Sequence, residues 1–215
     1  MNYKIPSSML VLAALAACGG STSSSGITLD ELNTAGQELS DAAAGIDNDT
    51  IGLYDEASLI AKGSASYTGH LLAGVNTTND IFVGRTTVDV NFADGGSISG
   101  EATDFVTFVD PTTRFGSDFI PIPEGTEISA IGGTLTYDGG TLGTDTGGFG
   151  ALDFTMNGTF NIPADLAGTE SDQEFAIGGR LLGAVTDQET FLAEGNYTAI
   201  GSQTIFNGFA VIIAE

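Results

Sequence analysis

The chain of 215 residues has no tryptophan, one histidine, one cysteine and only five lysines and arginines. A single cysteine excludes an internal disulfide and a CxxC redox pair, and a single histidine excludes a metal cage built from histidines. The five cations stand against 28 acids, which gives a net charge of −23. Because affinity for a phosphate backbone needs clustered lysine and arginine, this charge excludes nucleic acid as the default partner.

Glycine is abundant, with 31 residues, and 41% of the chain is hydrophobic. That apolar content is too high for a disordered acidic tail. The length suits one all-β domain with a core of its own.

The first 17 residues have the pattern of a secretory signal. Lys4 precedes an apolar stretch from Met9 to Ala17, which is too short for a permanent membrane span. The following Leu15-Ala16-Ala17-Cys18 resembles the lipobox of bacterial lipoproteins, whose cysteine is lipidated and becomes the mature N-terminus. An ordinary signal peptide beside an incidental Cys18 is the alternative, and the uniqueness of this cysteine favours lipidation. By the same resemblance, glycine rather than aspartate at position 19 indicates export to the outer membrane.

A tether and a helix are predicted next. Residues 18–27 are rich in glycine and serine, which predicts a flexible linker. Residues 28–45 predict a short amphipathic helix, because Thr28 and Glu31 have the spacing of a capping box and apolar residues follow at helical spacing. Gly45 is the expected end of this helix.

From about residue 51 the apolar period changes from 3.6 to 2, which predicts strands over residues 51–215. Glycine-rich near-repeats at 94–98 and 138–142 predict tight turns between antiparallel neighbours. Because closure removes exposed edges, the predicted fold class is all-β: a single antiparallel up-and-down β-barrel of about eight to nine strands. The predicted runs are 53–62, 65–75, 81–92, 97–109, 127–137, 149–160, 173–185 and 191–213, the last long enough for a hairpin.

Each predicted strand has one apolar face, which we expect to point into the barrel. At the C-terminus, Ile205, Phe209, Val211 and Ile213 share such a face. A membrane-spanning barrel is the alternative, since alternation does not say which face points inward. The absence of tryptophan and the final Glu215 favour an apolar interior and an acidic exterior.

Three segments resemble the β-barrel domains of transferrin-binding protein B and related surface lipoproteins. They are Ala65-Ser66-Tyr67-Thr68-Gly69, the run Val88-Asp89-Val90-Asn91-Phe92-Ala93-Asp94-Gly95-Gly96-Ser97-Ile98-Ser99-Gly100, and Gly148-Phe149-Gly150. The resemblance covers about residues 60–215. Large members have two lobes, each with a handle domain, whereas this chain has room for one barrel, so transferrin binding is not carried over. The resemblance implies a single-barrel surface lipoprotein that binds a protein or a haem- or iron-related ligand.

Few residues of this sequence are candidates for a catalytic role. His70 is the sole candidate base, and it lies on the strand face opposite Tyr67 and Leu71, which indicates a solvent-side histidine rather than a catalytic one. A pair of carboxylates that hydrolyses a glycosidic bond is not excluded among the 28 acids, although the sequence has no tryptophan on which a sugar ring could stack. The run 47–50 begins like a calcium loop but lacks the later ligands of an EF-hand. We therefore expect no enzyme activity, no cofactor and no metal site, and the alternative for residues 47–50 is a weak calcium site of a kind other than the EF-hand.

One internal stretch, residues 110–123, combines three prolines with the candidate recognition residues Arg114, Phe115 and Phe119. Long loops on rigid scaffolds carry binding, and arginine with aromatics suits an interaction hot spot. The alternative is a loop folded over the barrel mouth, with Phe115 and Phe119 filling the interior. The expected function is that of a lipid-anchored binding protein on the outer membrane and cell surface of a Gram-negative bacterium. Two alternatives are an envelope-assembly lipoprotein and a lipocalin-like carrier of a small apolar ligand.

Overall fold

The computed structural model describes residues 26–75, 80–109, 119–164, 171–202 and 205–215. Within them, two helices precede nine strands. The helices are α1 (Leu29–Asp47) and α2 (Glu56–Lys62). The strands are β1 (Ser64–Val75), β2 (Asp80–Asn91), β3 (Ser97–Val109), β4 (Ser129–Ala130), β5 (Gly132–Thr144), β6 (Gly150–Ile162), β7 (Gln173–Val185), β8 (Phe191–Ile200) and β9 (Ile205–Ala214).

All nine strands belong to one antiparallel sheet with the order β2-β1-β9-β8-β7-β6-β5-β3-β4. A further pairing of β2 with β3 closes eight of them into a barrel, and β4 is a short extra strand beside β3. The predicted fold class is confirmed. The last predicted run, 191–213, is the hairpin β8–β9.

The apolar faces of most strands point into the barrel, as predicted. Phe82 and Val88 of β2 and Phe92, the residue after it, are buried in the interior cluster, while Asp89 is exposed on the outside. The face of β9 is an exception, because Ile205, Phe209, Val211 and Ile213 lie outside, and Ala210, Ile212 and Ala214 are buried inside. The expectation that the first set points inward was wrong. Both faces of β9 are apolar, so alternation could not choose between them.

The two ends of the barrel differ. At the closed end, β2 ends at Asn91, β3 begins at Ser97, and α2 covers the opening with Leu59 buried in the interior cluster. The predicted strand at 53–62 was wrong, because Asp55 caps this helix by accepting from the Ser58 N–H at 2.7 Å. At the opposite end, the loop end, β1 finishes and β2 starts, and β8 is followed by β9.

Helix α1 lies against the outside of the barrel. Its predicted cap is confirmed, since the Glu31 N–H donates to Thr28 Oγ1 at 3.2 Å. The helix continues two residues beyond Gly45, its predicted end. The side chain of Ile51 packs against Gly45, where a Cβ would lie 2.6 Å from Ile51 Cγ1. The apolar side of α1 joins outward residues of four strands in a second cluster, which contains Ile27, Leu32, Leu39, Ala42, Leu72, Val83, Val106, Phe108, Ile122 and Ile213.

The two glycine-rich near-repeats contact each other at the closed end. Residues 94–98 form the predicted turn between β2 and β3, but 138–142 lie within β5 as a bulge, so a turn there was a wrong prediction. The Leu142 N–H donates to the Gly95 carbonyl at 2.7 Å. A Cβ at Gly96 would lie 2.6 Å from Leu142 N, and a Cβ at Gly140 would lie 2.8 Å from Ile98 N. These distances are too short for a side chain, so the two segments can approach this closely only because both residues are glycine.

Candidate functional site

Of the predicted site residues, the structure describes only Phe119. Cys18, Arg114 and Phe115 lie outside the described residues. Phe119 is described and half-buried, and its ring lies on Gly36 of α1, where a Cβ would be 2.6 Å from Phe119 Cζ. Phe119 therefore packs against the outer helix and does not fill the barrel interior.

The same segment is fastened to α1 by hydrogen bonds. The Ile122 N–H donates to Asn33 Oδ1 at 2.8 Å, and Asn33 Nδ2 donates to the Ile122 carbonyl at 3.2 Å. Ile122 is itself buried in the cluster under the helix. The end of the predicted recognition segment is thus fixed beside the first half of α1.

The most elaborate polar arrangement of the described chain joins α1 to the barrel wall. Arg85 of β2 donates from Nε to Glu31 Oε1 at 2.9 Å and from one Nη to Oε2 at 3.0 Å. His70 of β1 lies 3.2 Å from Glu31 Oε1, and a second Nη of Arg85 lies 3.6 Å from Asp104. We call Glu31, His70 and Arg85 the clamp. Arg85 also donates to the Gly26 carbonyl at 3.2 Å, so the clamp holds the first described residue of the chain.

The clamp changes the electrostatics of its carboxylate. Burial alone would raise the pKa of Glu31, but hydrogen bonds from Arg85 and His70, together with their charges, outweigh it and hold the pKa below its usual value. Two-point pairing of arginine with a carboxylate fixes orientation as well as charge. The clamp therefore holds the start of α1 in one position.

Beside the clamp, a groove of about 490 Å³ runs between α1 and the barrel. Its ionisable lining residues include Glu31, Glu38, His70, Arg85 and Glu215. Burial and the nearby Glu215 raise the pKa of the Glu38 carboxyl. The nearby His70 lowers this pKa by a smaller amount, so the net shift is upward. Among the described residues, no group of three histidine, cysteine, aspartate or glutamate side chains is placed to hold a metal ion.

His70 lies on the predicted strand face, outside the barrel and opposite Tyr67 and Leu71. Its side chain is only 15% exposed, because α1 covers it. Sequence reasoning missed this cover, and it also missed Glu31 as the partner of His70. The capping-box spacing identified Glu31 only as a residue of the first turn of the helix.

The other described cations are also paired with acids. Lys62 of α2 pairs with Glu189, and it lies 5.6 Å from the ring centre of Tyr54. Arg180 of β7 pairs with Asp153 of β6 and donates from Nε at 2.6 Å. With few cations for many acids, the surface keeps a large excess of negative charge.

The barrel interior is packed with aromatic rings. The Phe160 ring centre lies 5.1 Å from that of Phe82, in a tilted contact, and 4.7 Å from that of Phe105, in an edge-to-face contact. Tyr137 meets Phe154 edge-on at 5.9 Å. Eight-stranded barrels have interiors just wide enough for side chains to fill, and these rings use that space.

Large apolar side chains are exposed on the outside of the barrel, most strongly on the hairpin β8–β9. Ile200, Ile205 and Phe209 are 53%, 67% and 44% exposed. The sequence pattern placed Ile205 and Phe209 on one face but assigned that face to the interior. No described helix has both the length and the apolar character that a membrane crossing requires.

In comparisons with known proteins, no family model, no curated protein and no solved structure matches this chain.

Proposed function

We propose that this protein is a lipid-anchored, non-catalytic binding protein of the bacterial outer membrane and cell surface, similar in build to the single barrels of transferrin-binding-protein-B-like lipoproteins. The anchor is the lipidated Cys18, and the working part is the outside of the barrel. Of the ligand classes implied by that resemblance, a protein is favoured over a haem- or iron-related ligand. His70 is held by Glu31 under α1 and is not presented as an exposed ligand.

The observation that carries this proposal is the clamp. It fixes Gly26 against the barrel wall only eight residues after Cys18. Eight residues span at most about 30 Å when extended, so the acyl chains hold the barrel close to the bilayer. Ile27, the last residue of the predicted tether, is fully buried and packs in the cluster under α1, so the barrel side of the tether ends before it.

The packed interior supports action at the outer surface. Aromatic rings that contact one another occupy the inward positions that a lipocalin-like carrier would need for its ligand. The carrier alternative therefore gains no support from the described interior. The envelope-assembly alternative uses the same outer surface and differs in the side of the membrane on which the partner is found.

Lipid labelling of growing cells tests the anchor. Wild type should incorporate labelled palmitate and remain in the outer membrane fraction, whereas Cys18→Ser should incorporate none and be released. Equal labelling of both chains, or the same fractionation of both, would refute the anchor.

Protease treatment of intact cells tests the surface location, with a periplasmic protein as the control. Digestion in intact cells with the control intact is the expected result. Protection until the outer membrane is broken would overturn the cell-surface part of the proposal and favour the envelope-assembly alternative.

A further inference from the structure

The outward face of β9 is apolar except at Asn207, but only half of it is covered. Val211 and Ile213 pack under α1 with the second apolar cluster. Ile205 and Phe209, nearer the loop end, are exposed, and Ile200 of β8 is the direct cross-strand partner of Ile205. We call Ile200, Ile205 and Phe209 the apolar strip.

The apolar strip is uncharged within an acidic molecule. The outward residues between its members are Asn196, Thr198 and Asn207. Two exposed carboxylates border it: Glu174 lies two residues beyond Ala176, the β7 partner of Ile200, and Glu194 lies two residues from Asn196. Arg180, the β7 partner of Asn196, also borders it, and its charge is paired with that of Asp153. An apolar centre with a charged rim is the usual anatomy of a protein-binding surface.

Phe209 is also held in place before any partner arrives. It lies opposite Gly74 of β1, and a Cβ on Gly74 would be 2.5 Å from two atoms of the ring. The ring therefore rests on the backbone of the neighbouring strand while 44% of the residue stays exposed. A large side chain with a fixed orientation loses little entropy on binding, which is characteristic of hot-spot residues.

We propose that the apolar strip is the docking surface for a protein partner whose own surface has an apolar centre and lysine or arginine at its rim. The basic rim follows from charge complementarity with Glu174, Glu194 and the net charge of −23. A second copy of this chain is disfavoured, because it would bring two acidic rims together. An anionic lipid surface is disfavoured for the same reason. This inference rests on the proposed binding function and assigns its surface.

A photoreactive benzoylphenylalanine placed at position 209 of the full chain in living cells tests the proposal first. The same group at Thr136 serves as the control, because Thr136 is exposed on β5, on the opposite wall of the barrel. We expect a protein adduct from position 209 and none from position 136. An adduct with lipid alone, with a second copy of this chain, or equally from both positions would overturn the proposal, as would the absence of any adduct.

Affinity measurements with the purified captured protein complete the test. Ile205→Ser and Phe209→Ser should each weaken binding by about tenfold or more, while Ile60→Ser should leave it unchanged. Ile60 is 48% exposed, between Phe209 and Ile205, and lies on α2 at the closed end. Binding should also weaken with added salt and with the double substitution Glu174→Gln and Glu194→Gln. Unfolding midpoints of the variants establish that each is folded.

The affinity series separates this inference from the proposed function. If the captured protein binds wild type and Phe209→Ser equally, the apolar strip is not the docking surface, although a lipidated binding protein is still supported. If Cys18 carries no lipid and the barrel is not at the outer membrane, the proposed function fails whatever position 209 contacts.

Discussion

Glu31 of α1 and Arg85 of β2, 54 residues apart in the chain, form a two-point ion pair with distances of 2.9 and 3.0 Å. The pair joins the outer helix to the barrel wall near the first described residue. Helix α1 covers Ile213 of β9 and contacts Phe119. The ion pair therefore fixes the helix whose position determines which half of β9 is covered and which half is exposed.

Removing the charge of Glu31 should loosen α1. We expect Glu31→Gln to lower the free energy of unfolding by about 1 kcal/mol, a modest value because the arginine is partly exposed and solvent screens the pair. Asp30→Asn is the matched control, since Asp30 is the exposed neighbour in the same first turn and interacts equally with the helix dipole. Urea denaturation of both variants measures the difference. Equal effects would mean that the helix dipole, and not Arg85, accounts for the loss.

The contribution of Glu31 should depend on pH. Its pKa is lowered in the folded protein, so its stabilisation is present above the unfolded value of about 4.5 and is lost as the pH falls through the folded value. The stability gap between wild type and Glu31→Gln should therefore be open at pH 7 and close as the pH falls well below about 4.5. A gap that stays constant over this range would refute the assigned ionisation.

Gly36 should be intolerant of a side chain despite lying within a helix. Alanine normally stabilises a helix by about 1 kcal/mol relative to glycine. At Gly36, however, the new methyl would overlap the Phe119 ring, and we expect a net loss of about 1–3 kcal/mol. In a Phe119→Ala background the same substitution should become stabilising. If Gly36→Ala destabilises both backgrounds equally, Phe119 is not the cause.

Regular patterns made part of this fold predictable from sequence. The alternation on β2 and the cap at Thr28 each depend on residues close together in the chain, and both are confirmed. The short helix α2 was missed because a seven-residue helix with one buried residue, Leu59, has no detectable period. The bulge in β5 was taken for a turn because consecutive glycines serve both structures.

The candidate surfaces were harder to predict because they depend on long-range pairing. Nothing near Arg85 in the chain identifies Glu31 as its partner. The exposed position of Phe209 could not be inferred either, since both faces of β9 are apolar. Only the packing of α1 over Val211 and Ile213 decides which apolar residues are covered and which are exposed.

The closed end should depend on a single side chain. Leu59 is 1% exposed and belongs to the interior cluster, so Leu59→Ala should lower the free energy of unfolding by about 2–4 kcal/mol. The adjacent Ile60→Ala is the control, because Ile60 is exposed on the same helix and should change stability by less than about 0.5 kcal/mol. Chemical denaturation compares the two. Similar losses from both variants would show that burial of Leu59 in the barrel interior is not the cause of its loss, because alanine has a higher helix propensity than leucine or isoleucine.

Two buried tyrosines should respond in opposite ways to loss of the hydroxyl group. The Tyr67 hydroxyl is buried and has no hydrogen-bond partner among the described atoms, and burial raises its pKa to about 12. The Tyr137 hydroxyl lies 2.8 Å from Thr86 Oγ1, and the Thr86 hydroxyl donates to the Glu101 carbonyl, so Tyr137 is the donor of this pair.

Tyr137→Phe should therefore lose about 1 kcal/mol of stability, because it removes a satisfied hydrogen bond. Tyr67→Phe should be neutral or stabilising by about 1 kcal/mol, because it removes an unsatisfied polar atom from an apolar interior. Both substitutions conserve the ring and its packing, so urea denaturation compares the hydroxyl groups alone. A loss in Tyr67→Phe equal to that in Tyr137→Phe would show that the Tyr67 hydroxyl has a partner in solution.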